Sequence, residues 1–193
     1  MDLFHPDSRF KFTNGLDQRL ESKGENLLLL TKRVDKQSAF LEMVKEHEGI
    51  IYKVSQLYHS NPEDQKDLYQ EIIFQLWKSY DSFRGESKRS TWIYRVALNT
   101  SIRWLDQGKK TVKGSDRRFE EMAFEPFDPL VEQRLAQIHK EIEKLSLVEK
   151  GIILLYLEGK SHEEIALITG FSKTNVGSRI SRIKQKLKDQ INK

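Results

Sequence analysis

The stretch from Ser161 to Lys193 constrains the fold of this chain more than any other. Ser161 followed by Glu164 has the spacing of a capping box, in which the serine oxygen takes a backbone N–H and the glutamate reaches back. The helix that follows, His162 to Thr169, carries Ala166 at its middle, small enough to let a second helix cross closely. Gly170 suits the left-handed residue that ends a helix, and Ser172 suits the cap of the next. Val176 then falls where an apolar side chain fills the gap between the two helices. The order Ala166, Gly170, Val176 is the helix-turn-helix pattern, whose second helix lies in the DNA major groove. That second helix and its tail carry Lys173, Arg179, Arg182, Lys184, Lys186, Lys188 and Lys193 against a single acid, Asp189.

A chain of 193 residues suits one domain or two small ones. The formal charge of +4 is only mildly basic, so its distribution matters more than its sum. The absence of cysteine excludes disulfides, thiolate zinc sites and cysteine redox switching, and it suits a cytoplasmic protein. No apolar run approaches the roughly 20 residues of a membrane helix; Leu27 to Leu30 is far too short, so no membrane insertion is expected. Nor does the N-terminus pair a basic segment with a long apolar one, so no signal peptide is expected.

Residues 1–36 lack sustained periodicity and contain Pro6, Gly15 and Gly24, which reads as a flexible extension, although Asn26 to Asp35 can also join the first helix. Phe40, Leu41, Val44, Ile51, Val54, Leu57 and Tyr58 recur at helical spacing and predict one helix over Ser38–Tyr58. Asn61-Pro62 breaks it. A second helix is predicted over Glu63–Tyr80, with Leu68, Ile72, Leu76 and Tyr80 on one stripe, and a third over Ser90–Asp106. Residues 108–129 hold two glycines and two prolines and pass from basic to acidic, which marks a linker. A second helical domain, 130–193, places Leu135, Ile138, Ile142 and Leu145 on one face. No segment alternates like a strand, so the expected fold is all-α, with two small helical domains (37–107 and 130–193) joined by that linker.

Charge is partitioned within the first domain. Residues 39–83 hold four lysines against eight carboxylates, whereas 84–118 hold ten lysines and arginines against three. On the second helix Asp67, Gln70, Glu71 and Phe74 stand at i, i+3, i+4 and i+7, opposite the apolar stripe. Such a stripe is either an ordinary solvated face or a docking face for a basic protein. The following segment reads Phe83-Arg84-Gly85-Glu86-Ser87, then Ser90-Thr91-Trp92-Ile93-Tyr94-Arg95-Val96-Ala97-Leu98-Asn99. Trp92 and Tyr94, with apolar neighbours, read as core; Phe83, flanked by Arg84 and Gly85, is open to either role.

Taken together, Asp67-Leu68-Tyr69-Gln70-Glu71, Phe-Arg-Gly and Thr-Trp-Ile-Tyr-Arg-Val-Ala-x-Asn resemble the second conserved region of extracytoplasmic-function (ECF) sigma factors of the sigma-70 family. Glu164-Ile165-Ala166, Val176-x-Ser178-Arg179 and Arg182 resemble their fourth region. The resemblance covers about residues 38–193. It implies that Asp67, Gln70, Glu71 and Phe74 dock on the coiled coil of the largest RNA polymerase subunit, with the fourth region at the flap of the second-largest. It further implies that Phe83 and Asn99 flank a pocket for a base flipped from the −10 element, a pocket that offsets an unstacking cost of a few kcal/mol. Arg84, Lys88, Arg89, Arg95 and Arg103 would neutralise phosphates there.

In the second domain the resemblance puts Lys173, Thr174, Asn175, Ser178, Arg179 and Arg182 on the −35 element. The first residues of a recognition helix reach base edges and later cations hold phosphates; Asn to adenine and Arg to guanine are the matching pairs. Lys184, Lys186 and Lys188 read as a solvated helix end favourable to the dipole. Three positions depart from the family pattern. Gly177 stands where Lys or Arg is frequent, at a helix-propensity cost of about 1 kcal/mol. Ser146 replaces a common proline, and Arg103 a shorter polar residue. The five histidines are scattered and no catalytic, metal or cofactor motif is present, so polymerase would do the chemistry. The resemblance also implies a stress-response role and regulation by an anti-sigma factor. The rival reading is a self-sufficient helix-turn-helix regulator, against which the acidic stripe and the aromatic-basic segment both count.

Overall fold

The computed structural model describes residues 31, 33–108, 137, 138 and 140–191, and every regular element among them is helical. Most of the expected extension, all of 109–129, and Leu130 and Leu135 lie outside the described residues. Two compact units divide the chain, Met1–Lys45 and Glu46–Lys193. Helix α1 occupies residues 33–46, and Phe40 and Met43 are buried in it. The remaining helices are α2 (Glu48–Tyr58), α3 (Pro62–Ser79), α4 (Arg89–Gly108), a short α5 (140–143), α6 (Leu147–Leu157), α7 (His162–Thr169) and α8 (Lys173–Ile191).

The single helix predicted over Ser38–Tyr58 is two. At His47 the backbone leaves helical geometry (φ −116°, ψ 17°), and the Ile50 N–H donates to the His47 carbonyl at 3.0 Å, a tightened turn. Gly49, a weak helix former, sits within that turn. The other boundaries follow local chemistry. Asn61 caps α3 by accepting from the Glu63 N–H at 2.9 Å, Pro62 occupies the first helical position, and Glu63 and Asp64 complement the dipole. Leu68, Ile72 and Leu76 from α3, Ile51 and Val54 from α2, and Ile93 and Ala97 from α4 are fully buried where these three helices pack.

The C-terminal helices close around Ile152, Ile165, Val176 and Ile183, all buried. Two complete capping boxes start α6 and α7, Ser146 with Glu149 and Ser161 with Glu164. Ser146, one of the three departures, therefore has a definite task. Gly170 ends α7 at φ 79°, in the left-handed region, and the Asn175 N–H donates to Ser172 Oγ at 3.2 Å to open α8. Gly177 faces the His162 ring, 3.6 Å from where a Cβ would stand.

The caps make two predictions. Ser146→Ala and Ser161→Ala each lower stability by about 1 kcal/mol, read from the shift in denaturation midpoint at constant slope. The Ser161 N–H holds the Glu164 carboxyl below the ordinary 4.5. Partial burial alone would raise Glu149, but the Ser146 N–H and hydroxyl outweigh it and hold that group below 4.5 as well. Depressed carboxylates stabilise fully above the unfolded value and lose that contribution as pH falls through the folded one. Stability should therefore be flat in this respect above pH 4.5 and decline below it, and Glu149→Gln together with Glu164→Gln should flatten the acid limb.

Candidate nucleic-acid interface

Helix α3 presents Asp67 and Gln70 fully exposed, and Phe74 at 56% exposure, on the side away from its core. An aromatic ring left that open between polar neighbours is the kind of residue that anchors interfaces. Glu71 is half-buried, and Gln75 Nε2 donates to it at 2.8 Å, which fixes the carboxylate on the same face.

Past α3 a 3-10 turn, Tyr80–Ser82, is closed by the Phe83 N–H donating to the Tyr80 carbonyl at 3.2 Å. Gly85 then takes φ 74° and turns the chain into α4. The turn lays the Phe83 ring against Trp92, with centroids 5.0 Å apart and planes inclined by 34°. Both rings are half-buried. Trp92 is thus not the core residue its neighbours suggested, whereas Tyr94 is, at 2% exposure. Trp92, Arg95, Asn99 and Arg103 share one stripe of α4, because residues three, four and seven apart coincide on a helix. Asn99 lies about 10 Å along the axis from Trp92 at 1.5 Å per residue. Its side chain is exposed, and Arg103 Nε donates back to the Asn99 carbonyl at 3.2 Å. Arg84, Lys88, Arg89 and Arg95 are exposed around the stripe. Lys88 stands 3.7 Å from Glu164 and Arg89 3.8 Å from Glu46, exposed pairs of little energetic weight.

On α8 the outward residues Thr174, Asn175, Ser178 and Arg182 are exposed, while Lys173 pairs with Glu163. Arg179 is arranged differently from its sequence expectation. Its guanidinium lies 4.5 Å from the Phe171 ring centroid, and its Nε donates to Asn175 Oδ1 at 2.6 Å. Asn175 and Arg179 therefore form one unit, not two independent base readers, and Phe171 is a supporting residue that its place in the turn did not reveal. Phe171→Leu is expected to weaken duplex binding by two- to fivefold, since cation–π contacts at exposed sites are worth about 0.5–1 kcal/mol; titration with labelled duplex measures it. Lys184 reaches Tyr156 Oη at 3.5 Å and Lys186 stands 3.7 Å from Glu149, so this helix end is partly tied to α6; Lys188 is exposed.

No set of three or more His, Cys, Asp or Glu able to hold a metal ion occurs among the described residues. None of their helices is long and apolar enough to cross a membrane.

The family models for sigma-70 region 2 and sigma-70 region 4 match residues 43–111 and 135–187. The chain is 32% identical to the ECF RNA polymerase sigma-E factor of Escherichia coli K12, covering 84% of this chain and 93% of that one. It is 25% identical to the RNA polymerase sigma factor SigV of Bacillus subtilis, covering 85% and 98%. Among solved structures, the sigma factor RpoE of Bartonella quintana in complex with the anti-sigma factor NepR superposes with a TM-score of 0.63 at 20% identity, covering 82% of this chain and 97% of that one. These matches, region 2 ahead of region 4 on an all-helical chain, place it in the ECF branch of the sigma-70 family: it is an RNA polymerase sigma factor.

Proposed function

We propose that this sigma factor divides promoter recognition between its two helical domains, 37–107 and 130–193, with the intervening residues as a tether. Asp67, Gln70, Glu71 and Phe74 dock on the coiled coil of the largest polymerase subunit. Phe83, Arg84, Lys88, Arg89, Arg95, Asn99 and Arg103 engage and open the −10 element. Lys173, Thr174, Asn175, Ser178, Arg179 and Arg182 hold the −35 element. The observation that carries this reading is the Phe83–Trp92 stack on the same stripe as Asn99 and two arginines. A base leaving the duplex finds there an aromatic platform, a side-chain amide and phosphate-binding cations, and stacking of this kind is worth about 1–3 kcal/mol per base.

A groove between α5, α6 and α8, floored by Ile138, Ile142, Ile153 and Ile180 and rimmed by Lys184 and Lys188, suits an apolar segment such as the flap of the second-largest subunit. The relatives RpoE and CnrH were each solved with a protein partner, the anti-sigma factor NepR and the cytosolic domain of CnrY. A comparable anti-sigma partner for this chain, a cytoplasmic site of action and a stress-response role complete the proposal.

A photoreactive amino acid at Phe74 and another at Thr174 test the division. With core polymerase and promoter DNA, the first should crosslink to the largest subunit and the second to DNA upstream of the start site. Crosslinking of Phe74 to DNA, or of Thr174 to neither strand, contradicts it.

A further inference from the structure

Three features of the sequence make no sense within their own helices. Gly151 interrupts an otherwise apolar α6, where glycine weakens a helix by about 1 kcal/mol relative to alanine. Glu158 caps the C-terminus of α6, where a carboxylate opposes the helix dipole. Tyr58, at the end of α2, is 4% exposed, and a buried phenol needs a hydrogen-bond partner. All three are explained by the other half of the chain. A Cβ on Gly151 would stand 3.1 Å from Tyr58 Oη and 3.2 Å from Leu98, so only glycine allows α6 to approach this closely. The Tyr58 hydroxyl donates to the Leu147 carbonyl at 2.7 Å. Lys53 Nζ donates to both Glu158 carboxylate oxygens, at 2.8 and 3.0 Å, and the Tyr94 hydroxyl adds a bond at 3.2 Å. Burial, reinforced by Glu158, pushes the Tyr94 phenol well above its ordinary range, so it remains a donor. The Lys160 ammonium lies 5.7 Å from the Tyr94 ring centroid.

We infer that the two promoter-binding halves are each other's partner when polymerase is absent, and that this clasp holds the −35 reader away from DNA. In the clasp α7, the first helix of the helix-turn-helix, packs directly on α4, and Glu164 faces Lys88. Sites named −35 and −10 are about 25 base pairs apart, on the order of 85 Å at 3.4 Å per step. Helices in contact cannot occupy both. The roughly 28 residues between Gly108 and Gln137 have an extended reach of about 90 Å, enough for the halves to part without strain. The clasp is small and largely polar, as suits an interaction that must yield. Its inhibitory consequence rests on the assignment of α4 and α8 to separate elements; the clasp itself does not.

The chain lacks cysteine, so two introduced at exposed Lys66 and Ser181 accept a fluorescent donor–acceptor pair cleanly. The free full-length chain should show one high-transfer population, lost in Gly151→Leu and in Lys53→Glu and restored in the Lys53→Glu/Glu158→Lys exchange. If about a tenth of the wild-type chain is open, the opened variants should bind a −35 duplex without polymerase about tenfold more tightly. Low transfer in the free wild-type chain overturns the clasp. Unchanged duplex affinity in variants shown by transfer to be open overturns its inhibitory role. The charge exchange keeps the test decisive should Gly151→Leu fold poorly. The transfer measurement involves neither promoter nor polymerase, so its failure leaves the site assignments standing.

Discussion

Asp67→Lys combined with Phe74→Ala is expected to abolish core polymerase binding at working concentrations while leaving the stability of the free chain intact. Phe74 is more than half exposed and Asp67 fully so, and neither supports the core of α2, α3 and α4. Changes at such positions usually move stability by within about 0.5 kcal/mol. An aromatic anchor lost from an interface costs 2 kcal/mol or more, about 30-fold. A lysine placed against a basic partner adds like-charge repulsion of several kcal/mol. Together the loss is on the order of 1,000-fold or more. The check is a binding titration with core enzyme beside a denaturation curve. Lost binding with a lowered midpoint would point to damage to the fold instead of the docking face.

The second large effect concerns the opening of DNA. Asn99→Ala and Phe83→Ala should each leave the initial, closed association of holoenzyme with promoter nearly unchanged and cut the formation of open complex. Stacking and pocket contacts to one extruded base are worth about 1–3 kcal/mol, so the expected loss is about 5- to 150-fold. Phe83→Ala should have the larger effect, since it also removes the ring packed on Trp92. Asn99 is exposed and its side chain holds no part of the core, which makes its variant the cleaner probe. Equal loss of recruitment and opening would argue against the pocket.

Much of this arrangement was legible in the sequence because its causes are local. The capping boxes at Ser146 and Ser161 and the left-handed Gly170 depend on residues within about one helical turn, and the apolar stripe Leu68, Ile72, Leu76 repeats with the helix. The turn at His47 escaped because the hydrophobic spacing continues across it, and only Gly49 hints that the backbone tightens there. Trp92 was misread as core since an aromatic among apolar neighbours gives the same pattern whether it lies beneath the surface or serves as a shelf for Phe83. Arg179 looked like a free base reader because its partners, Phe171 and Asn175, carry no signal of pairing until the turn folds. The contacts of Glu158 and Tyr58 were invisible for a different reason. Glu158 lies 105 residues from Lys53, and Tyr58 lies 89 from Leu147, so no local pattern records them. What sequence does show is the cost, a glycine inside α6 and an acid at its C-terminus.

These elements converge on a chain that brings polymerase to a promoter and opens it there, an activity absent from either component alone. Permanganate reactivity of thymines around the start site, with purified chain and core polymerase added separately and together, measures this directly. Reactive thymines should appear only with both components and should fade with Asn99→Ala. Reactivity produced by core enzyme without the chain, or tight specific binding by the chain with no opening when core enzyme is added, would contradict the account.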